Sequence, residues 1–435
     1  MKKYFSFCLF FSALFIMAQE NYNPIDTANR TIRESQKIMY ENRAKVFQTL
    51  LKEKIKDSKK YSYVKDNYNE VNEEFNKDLL KNRYIFNDSI QKMVNSIAQT
   101  IIDANPQIPK NLNFYISRDI GLNAYCMGNG NFIFNLGTFY YMDNEDQIAV
   151  IISHEIAHLL LDHVIEGQLD NYQMYYSNEA KNKLKDISKT KKNQSENAFK
   201  LFKNLLYEDK AKHRKIELQA DSLGYALYKK TKYAQSEFIN ALKLMEEYDT
   251  IKPMGLDSTI YAKVFNLPNA PFKQKWLERE DFSSYHYQYK SKIDEDSIAT
   301  HPEIDKRIKH IQAIYPELKE LVKEKEASTE FKKIEYIAKM ERQPSLYITE
   351  DYGAGIYICL LRLQNPEEKN KAYYEKWLGH YFQKIYESRK NYTLNRYLDR
   401  IDPEEQDDSY QLFLNFMWNL SLEDIQHITD YYTEK

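Results

Sequence analysis

Ser153-His154-Glu155-Ile156-Ala157-His158-Leu159-Leu160-Leu161 sets two imidazoles and a carboxylate inside an otherwise apolar run. Read as a helix, it places His154 and His158 one turn plus a little apart. Both rings then leave the same face, about 6 Å apart along the axis. At that spacing two ring nitrogens can share one tetrahedral zinc at about 2.0–2.1 Å. Glu155 is one position round; it can reach the open position of such a metal and act on a water there. A metal and its water thus account for polar side chains in a helix that is otherwise built to be buried.

The surroundings suit an interior helix. Asn144 or Asp143 stands before it as a cap. Further upstream, Ile90, Val94, Ile97 and Ile101 recur at helical spacing after Asp88 and Ser89, and Pro106 and Pro109 close that helix. Leu112 to Ile116 alternates as a half-buried strand, and the turn from Gly128 to Asn131 leads into a second at Phe132 to Phe134. With only 10 Gly and 11 Pro in 435 residues, turn-rich sandwiches and barrels are disfavoured. The expected fold is α+β and mostly helical, with a small mixed sheet beside the HExxH helix.

Two histidines leave a metal short of a ligand. Leu161 and Val164 stand where a metzincin would need Gly and His, which excludes that class. Downstream, a helix expected over about 214–230 carries Glu217-Leu218-Gln219-Ala220-Asp221, with its two carboxylates one turn apart on one face. Such a pair suits a ligating carboxylate and a second that orients a ligand histidine from behind. Taken alone, the same pair also reads as an exposed acidic face.

Charge excludes other classes. Sixty-two basic residues against 64 acidic give a net charge of -2, which points to neither nucleic acid nor an anionic membrane. Lys2-Lys3, the apolar run Tyr4 to Met17 and the small Ala18 have the layout of a secretory signal over residues 1–18. Ile16 is bulky for a cut site, and a retained anchor helix is the alternative. Cys8 lies inside the run, which argues against a lipid anchor. Beyond it no stretch approaches about 18 apolar residues, so the mature chain is expected to lack a transmembrane segment and to be periplasmic or extracellular. Only Cys126 and Cys359 would remain, too few for a disulfide scaffold; whether they pair is open.

The order "HEIAHLLLDH" with its trailing His163, "ELQADSLG" and "THPEIDKRI" (300–308) resembles one family. It is that of the HExxH zinc metalloendopeptidases of gluzincin type that include HtpX, the CAAX prenyl proteases, Oma-type proteases and BepA. The upstream "NAYCMGNGNFIFNLG" is similar to that family's Asn-Ala segment. The resemblance covers about residues 86–315 and implies a zincin-type metallopeptidase domain. It is flanked by a helical region at 19–85 and another at 316–435. It further implies one Zn2+ per chain on His154, His158 and Glu217, Glu155 as general base and Asp221 behind the ligands. His301 is implied near the metal, and Asn123 and Ala124 along the substrate. Gln219 departs from the family's frequent Glu, off the ligand face, and the missing membrane helices remove the prenyl protease reading.

Several residues keep open roles. Pro302 biases His301 away from helical geometry. Its ring could donate to an oxyanion, swing onto the metal as a latch, or cap the helix that carries Arg307, whose guanidinium could anchor to a core carboxylate. His163, five residues after His158, reads as a helix-end residue rather than a ligand. Cys126 reads as half-buried and inert. The Lys-rich stretch 167–215 reads as a solvated helical face, and 251–272, with three prolines, as loop. The expected function is zinc-dependent cleavage of unfolded or misfolded protein in quality control, with peptide docking to the edge strand by strand addition. The rival is a metal-stabilised binding or chaperone module, weakly active or latent. A protein partner for the C-terminal helices is the remaining expectation.

Overall fold

The computed structural model describes residues 22–176, 212–250, 254–280, 304–319, 325–404 and 406–434. The leader, His301 and most of the Lys-rich stretch lie outside the described residues. Two long helices come first, α1 (Arg30–Lys54) and α2 (Ser58–Leu80). Asn29 and Asp57 cap them by accepting from backbone N–H groups of the first turn. Their inner faces, Tyr40, Phe47 and Leu51 on one and Val64, Tyr68, Phe75 and Leu79 on the other, are buried.

A four-stranded sheet follows, built from β1 (Tyr84–Ile85), β2 (Asn113–Ser117), β3 (Ala124–Cys126) and β4 (Asn131–Asn135). The order β1-β2-β4-β3 is mixed, with β2 and β4 parallel and the other pairs antiparallel. The two longer strands lie within a residue of their expected bounds. β3 is therefore an edge, and its outer side is open to an added strand. Before β2 runs α3 (Asp88–Ala104); its cap is Asn87, which accepts from Ser89 N and Ile90 N at 3.0 and 3.1 Å. After β4 come α4 (Thr138–Tyr141), α5 (Glu145–Leu160) and α6 (His163–Tyr176). Helix α5 is capped by Asn144, and its residues from Asp146 to Ser153 are all buried. The fold is α+β and mostly helical.

Beyond the Lys-rich stretch, α7 spans 212–228, followed by α8 (Ser236–Thr250), α9 (Thr259–Phe265) and α10 (Ile304–Ile314). Helix α9 corrects the loop reading of 251–272. Its Tyr261 and Phe265 are fully buried, and among the described residues the prolines stand after the helix rather than in it. The last helices are α11 (Thr329–Ile348), α12 (Tyr352–Gln364), α13 (Lys371–Lys390), α14 (Asp408–Asn419) and α15 (Leu422–Glu434). Phe331, Ile334 and Ala338 of α11 belong to the apolar core of the sheet, α3 and α5; Leu346, at its other end, belongs to a second core with α9 and α12 to α15. Cys126 sits in the first core and Cys359 in the second, and both are free thiols. Among the described residues no single helix is long and apolar enough to cross a membrane.

One buried ion pair stitches these parts together. Arg118, just past β2, donates to Glu341 and Ser345 of α11, to the carbonyls of Ile25 and Asn82, and to Thr27. Glu341 also accepts from Tyr22 Oη and Ile25 N, so neither charge is left short of partners. Arg118→Leu would leave Glu341 buried without its cation. A loss of about 3–5 kcal/mol is expected, read from the urea unfolding midpoint of the metal-free protein.

Candidate metal centre

Helix α5 is mostly apolar from Ile148 on, and one of its sides carries His154 and His158. Helix α7 crosses it. Glu217, Asp221 and Gly224 recur at four and then three residues, so a single face of α7 meets α5. The crossing is close at Gly224, where a Cβ would stand 3.1 Å from His154 Cα. Without a side chain there, α7 comes near enough for Glu217 to reach both rings.

The Nε2 atoms of His154 and His158 are 3.0 Å apart, and the Glu217 carboxylate oxygens lie 3.4 and 3.5 Å from them. A tetrahedral zinc with bonds of about 2.0–2.2 Å holds its donors roughly 3.3–3.6 Å from one another. The two carboxylate distances lie in that range and the His–His distance a few tenths of an ångström under it, so two imidazole nitrogens and a carboxylate, all within 4.8 Å, fit such an ion in number and kind.

The surrounding charges favour a cation. Burial opposes charge on the His154 ring, yet the carboxylates of Asp221 and Glu217 raise its pKa to about 10. Burial also works against ionisation of Glu217, but His154 and then Arg307 hold it down at about 2. His158 moves the other way, to about 3, through burial and the neighbouring His154. Asp221 is 1% exposed and is gripped by Arg307 of α10 through two bonds of 2.7 Å, which keep it ionised against its burial. This is the core carboxylate that Arg307 was expected to find. Asp221 Oδ1 is 3.0 Å from His154 Nδ1 but out of line with the ring N–H, an ion-pair contact rather than an aligned hydrogen bond.

Glu155 faces β3 instead of α7. Its Oε2 accepts from Cys126 N at 2.7 Å, and burial lifts its pKa to about 7. The strand pattern explains why that N–H is available. Asn135 N donates to Asn123 O and Met127 N to Asn131 O, so the odd-numbered residues bond β4 and the even ones turn outward. Ala124 therefore presents its N–H and C=O towards the site, while the Asn123 carbonyl is occupied by Asn135 and Thr138. A cleft of about 340 Å³ follows this edge, with Leu242, Met245 and Tyr248 of α8 among its lining residues.

His154, Glu155, His158, Glu217, Asp221, Asn123 and Ala124 thus line one cleft. His301 lies outside the described residues. Cys126 is buried rather than half-buried, 8% exposed, and the Sγ accepts from Gly128 N. Sequence reasoning missed two contacts, that of Cys126 N–H on Glu155 and that of His163 on His158, whose Nδ1 atoms are 3.0 Å apart. Only the first had a signal, the alternation of strand β3.

A profile of peptidase family M48 matches residues 87–315, more than half of the chain. The chain belongs to peptidase family M48. The beta-barrel assembly-enhancing protease of Escherichia coli (strain K12) is 25% identical over 87 residues, 20% of this chain and 18% of that protein. The protein of the same name from Yersinia pestis is 24% identical over 90 residues, 21% of this chain and 18% of its own length. The chain spans less than a fifth of these curated relatives. The family is one of metal-dependent peptidases, and the converging donors of this chain are where a metal fits.

Gly224→Ala tests the helix crossing. It gains about 1 kcal/mol of helix propensity yet pushes α7 off His154. The expected outcome is faster loss of metal to a chelator with the unfolding midpoint of the metal-free protein held or raised.

Proposed function

We propose that this M48 peptidase is an exported zinc endopeptidase that cuts unfolded or misfolded polypeptide, a quality-control role. One observation carries the reading: His154, His158 and Glu217 converge beside a buried Glu155 and an open strand edge. Zinc held there would polarise a scissile carbonyl and acidify a water. Glu155, with Oε2 tied to Cys126 N–H, keeps Oε1 to take the water's proton and pass it to the leaving amine, typically worth about 10²–10⁴-fold. Asp221, fixed by Arg307, steadies His154 from its far side. Ala124 pairs an extended substrate through its backbone, with Asn123 beside it, so recognition reads main chain more than side chain and favours unfolded protein.

His301 is proposed to donate to the developing oxyanion. Three residues of chain span at most roughly 10 Å, and Ile304 already lines the cleft. Export is proposed on the signal-like residues 1–18, for a mature protein in a periplasm or outside the cell. The relatives are named for enhancing β-barrel assembly; that the present chain acts on misassembled exported proteins, with its C-terminal helices binding a protein partner, is part of the proposal.

Glu155→Gln separates base from ligands. Casein cleavage is expected to fall by about 10²-fold or more with zinc content unchanged near one per chain. Cleavage at the parent's rate would instead favour a binding module. Loss of zinc from the His158→Ala, Glu217→Ala double variant completes the test, since retained metal would place the ion elsewhere.

A further inference from the structure

The family match begins at residue 87, which leaves helices α1 and α2 without a role in the chemistry. A chain of contacts leads from them to the metal centre. On a continuous helix position 163 would stand about 140° round from His158 and could not touch it. The helix is not continuous. It stops at Leu160, Asp162 takes a left-handed φ of 54°, and α6 begins anew at His163. That break turns the His163 ring back onto His158, at 3.0 Å between Nδ1 atoms.

The tautomers follow from ligation, so this step rests on His158 being a metal ligand. A ring that gives its Nε2 lone pair to a metal carries its proton on Nδ1. His158 then donates and His163 Nδ1 accepts, which puts the His163 proton on Nε2. Gln219, whose side chain lies beside the same ring and favours its protonated form, is placed to accept it. The break itself is held from outside. Lys54, the last residue of α1, is paired with the Asp162 carboxylate. Val164, Ile165 and Leu169 of α6 pack against Phe47, Leu51 and Tyr68 of the hairpin.

We propose that His163 is a positioning residue that fixes the tautomer and orientation of His158, and that the α1–α2 hairpin serves the metal centre by holding Asp162 and α6 so that His163 is aimed at it. Full-length mature protein loaded with Zn2+ is titrated with a chromogenic chelator. His163→Leu should weaken zinc retention by about 10–100-fold. His163→Asn, whose Oδ1 stands where Nδ1 was, should retain most of it. Lys54→Ala should weaken retention by about two- to fivefold in the parent and not at all in the His163→Leu background.

Equal retention in the Leu and Asn variants overturns the positioning role, since packing alone would not separate them. An undiminished Lys54→Ala effect in the Leu background overturns the part assigned to the hairpin. If His163→Leu does not fold, Asn against Gln makes the same comparison, because the Gln amide reaches past the Nδ1 position. His158→Ala is run beside them. Zinc retained there sinks the ligand reading itself, whereas zinc lost there with His163 variants unaffected sinks this inference alone.

Discussion

The carboxylate of Asp221 is the point on which the site depends. It is 1% exposed, so an ionised form there is costly unless paired, and Arg307 supplies a two-pronged partner from α10. With that charge fixed, α7 and α10 are locked together, and α7 has a definite height over α5. Glu217 is one turn back on the same face and also lies 3.7 Å from Arg307 Nη1. The guanidinium therefore holds both carboxylates in place while His154 and His158 approach from the other helix. Gly224 is the steric condition for the same arrangement. An ion pair sets the orientation of α7, and the missing Cβ sets its distance.

Glu155 unites two requirements that would otherwise compete. A sheet edge with free N–H groups is open to any added strand, yet a general base needs a defined position. Bonding Cys126 N–H to Glu155 Oε2 meets both at once. It closes the strand edge at the residue nearest Glu155, and it leaves Ala124, two residues earlier, as the next outward-facing backbone group. Burial lifts the carboxyl towards neutrality, which suits the proposed role of accepting a proton and later giving it up. Under the proposed function, the register of this three-residue strand would fix where a peptide begins to pair relative to Glu155.

Much of this was legible in the sequence because its signals are local and periodic. Helical spacing brought His154 to His158 and Glu217 to Asp221, and alternation and a turn signal marked the two longer strands to within a residue. The unread parts depend on breaks, on partners far along the chain, or on local signals that allow more than one reading. His163 was judged by the phase of a continuous helix, and only the left-handed Asp162 resets that phase. Helix α9 was hidden by prolines that flank it, a case where punctuation marks an element's limits and not its absence. Asn87 caps α3 although Asp88 and Ser89 also have capping side chains, a choice that turns on one residue's φ and ψ. Cys126 looked half-buried because nothing local announces that α5 covers it.

The helices outside the family match are not appended to the catalytic part as separate beads. Arg118 leaves the end of β2 and reaches residues 25, 27, 82, 341 and 345 in one stroke, so the segment before α1, the turn before β1 and the middle of α11 share a single charge. The loop it begins runs through Ile120, which packs against the second apolar core, and enters β3 at Ala124. The strand that would pair a substrate is therefore tethered at one end to the C-terminal helices, and at the other its Cys126 N–H is tied to Glu155. The Arg118–Glu341 pair that joins these parts is fully buried. The short loop from Arg118 to Asn123 connects it to the strand edge that lines the cleft beside His154 and Glu155.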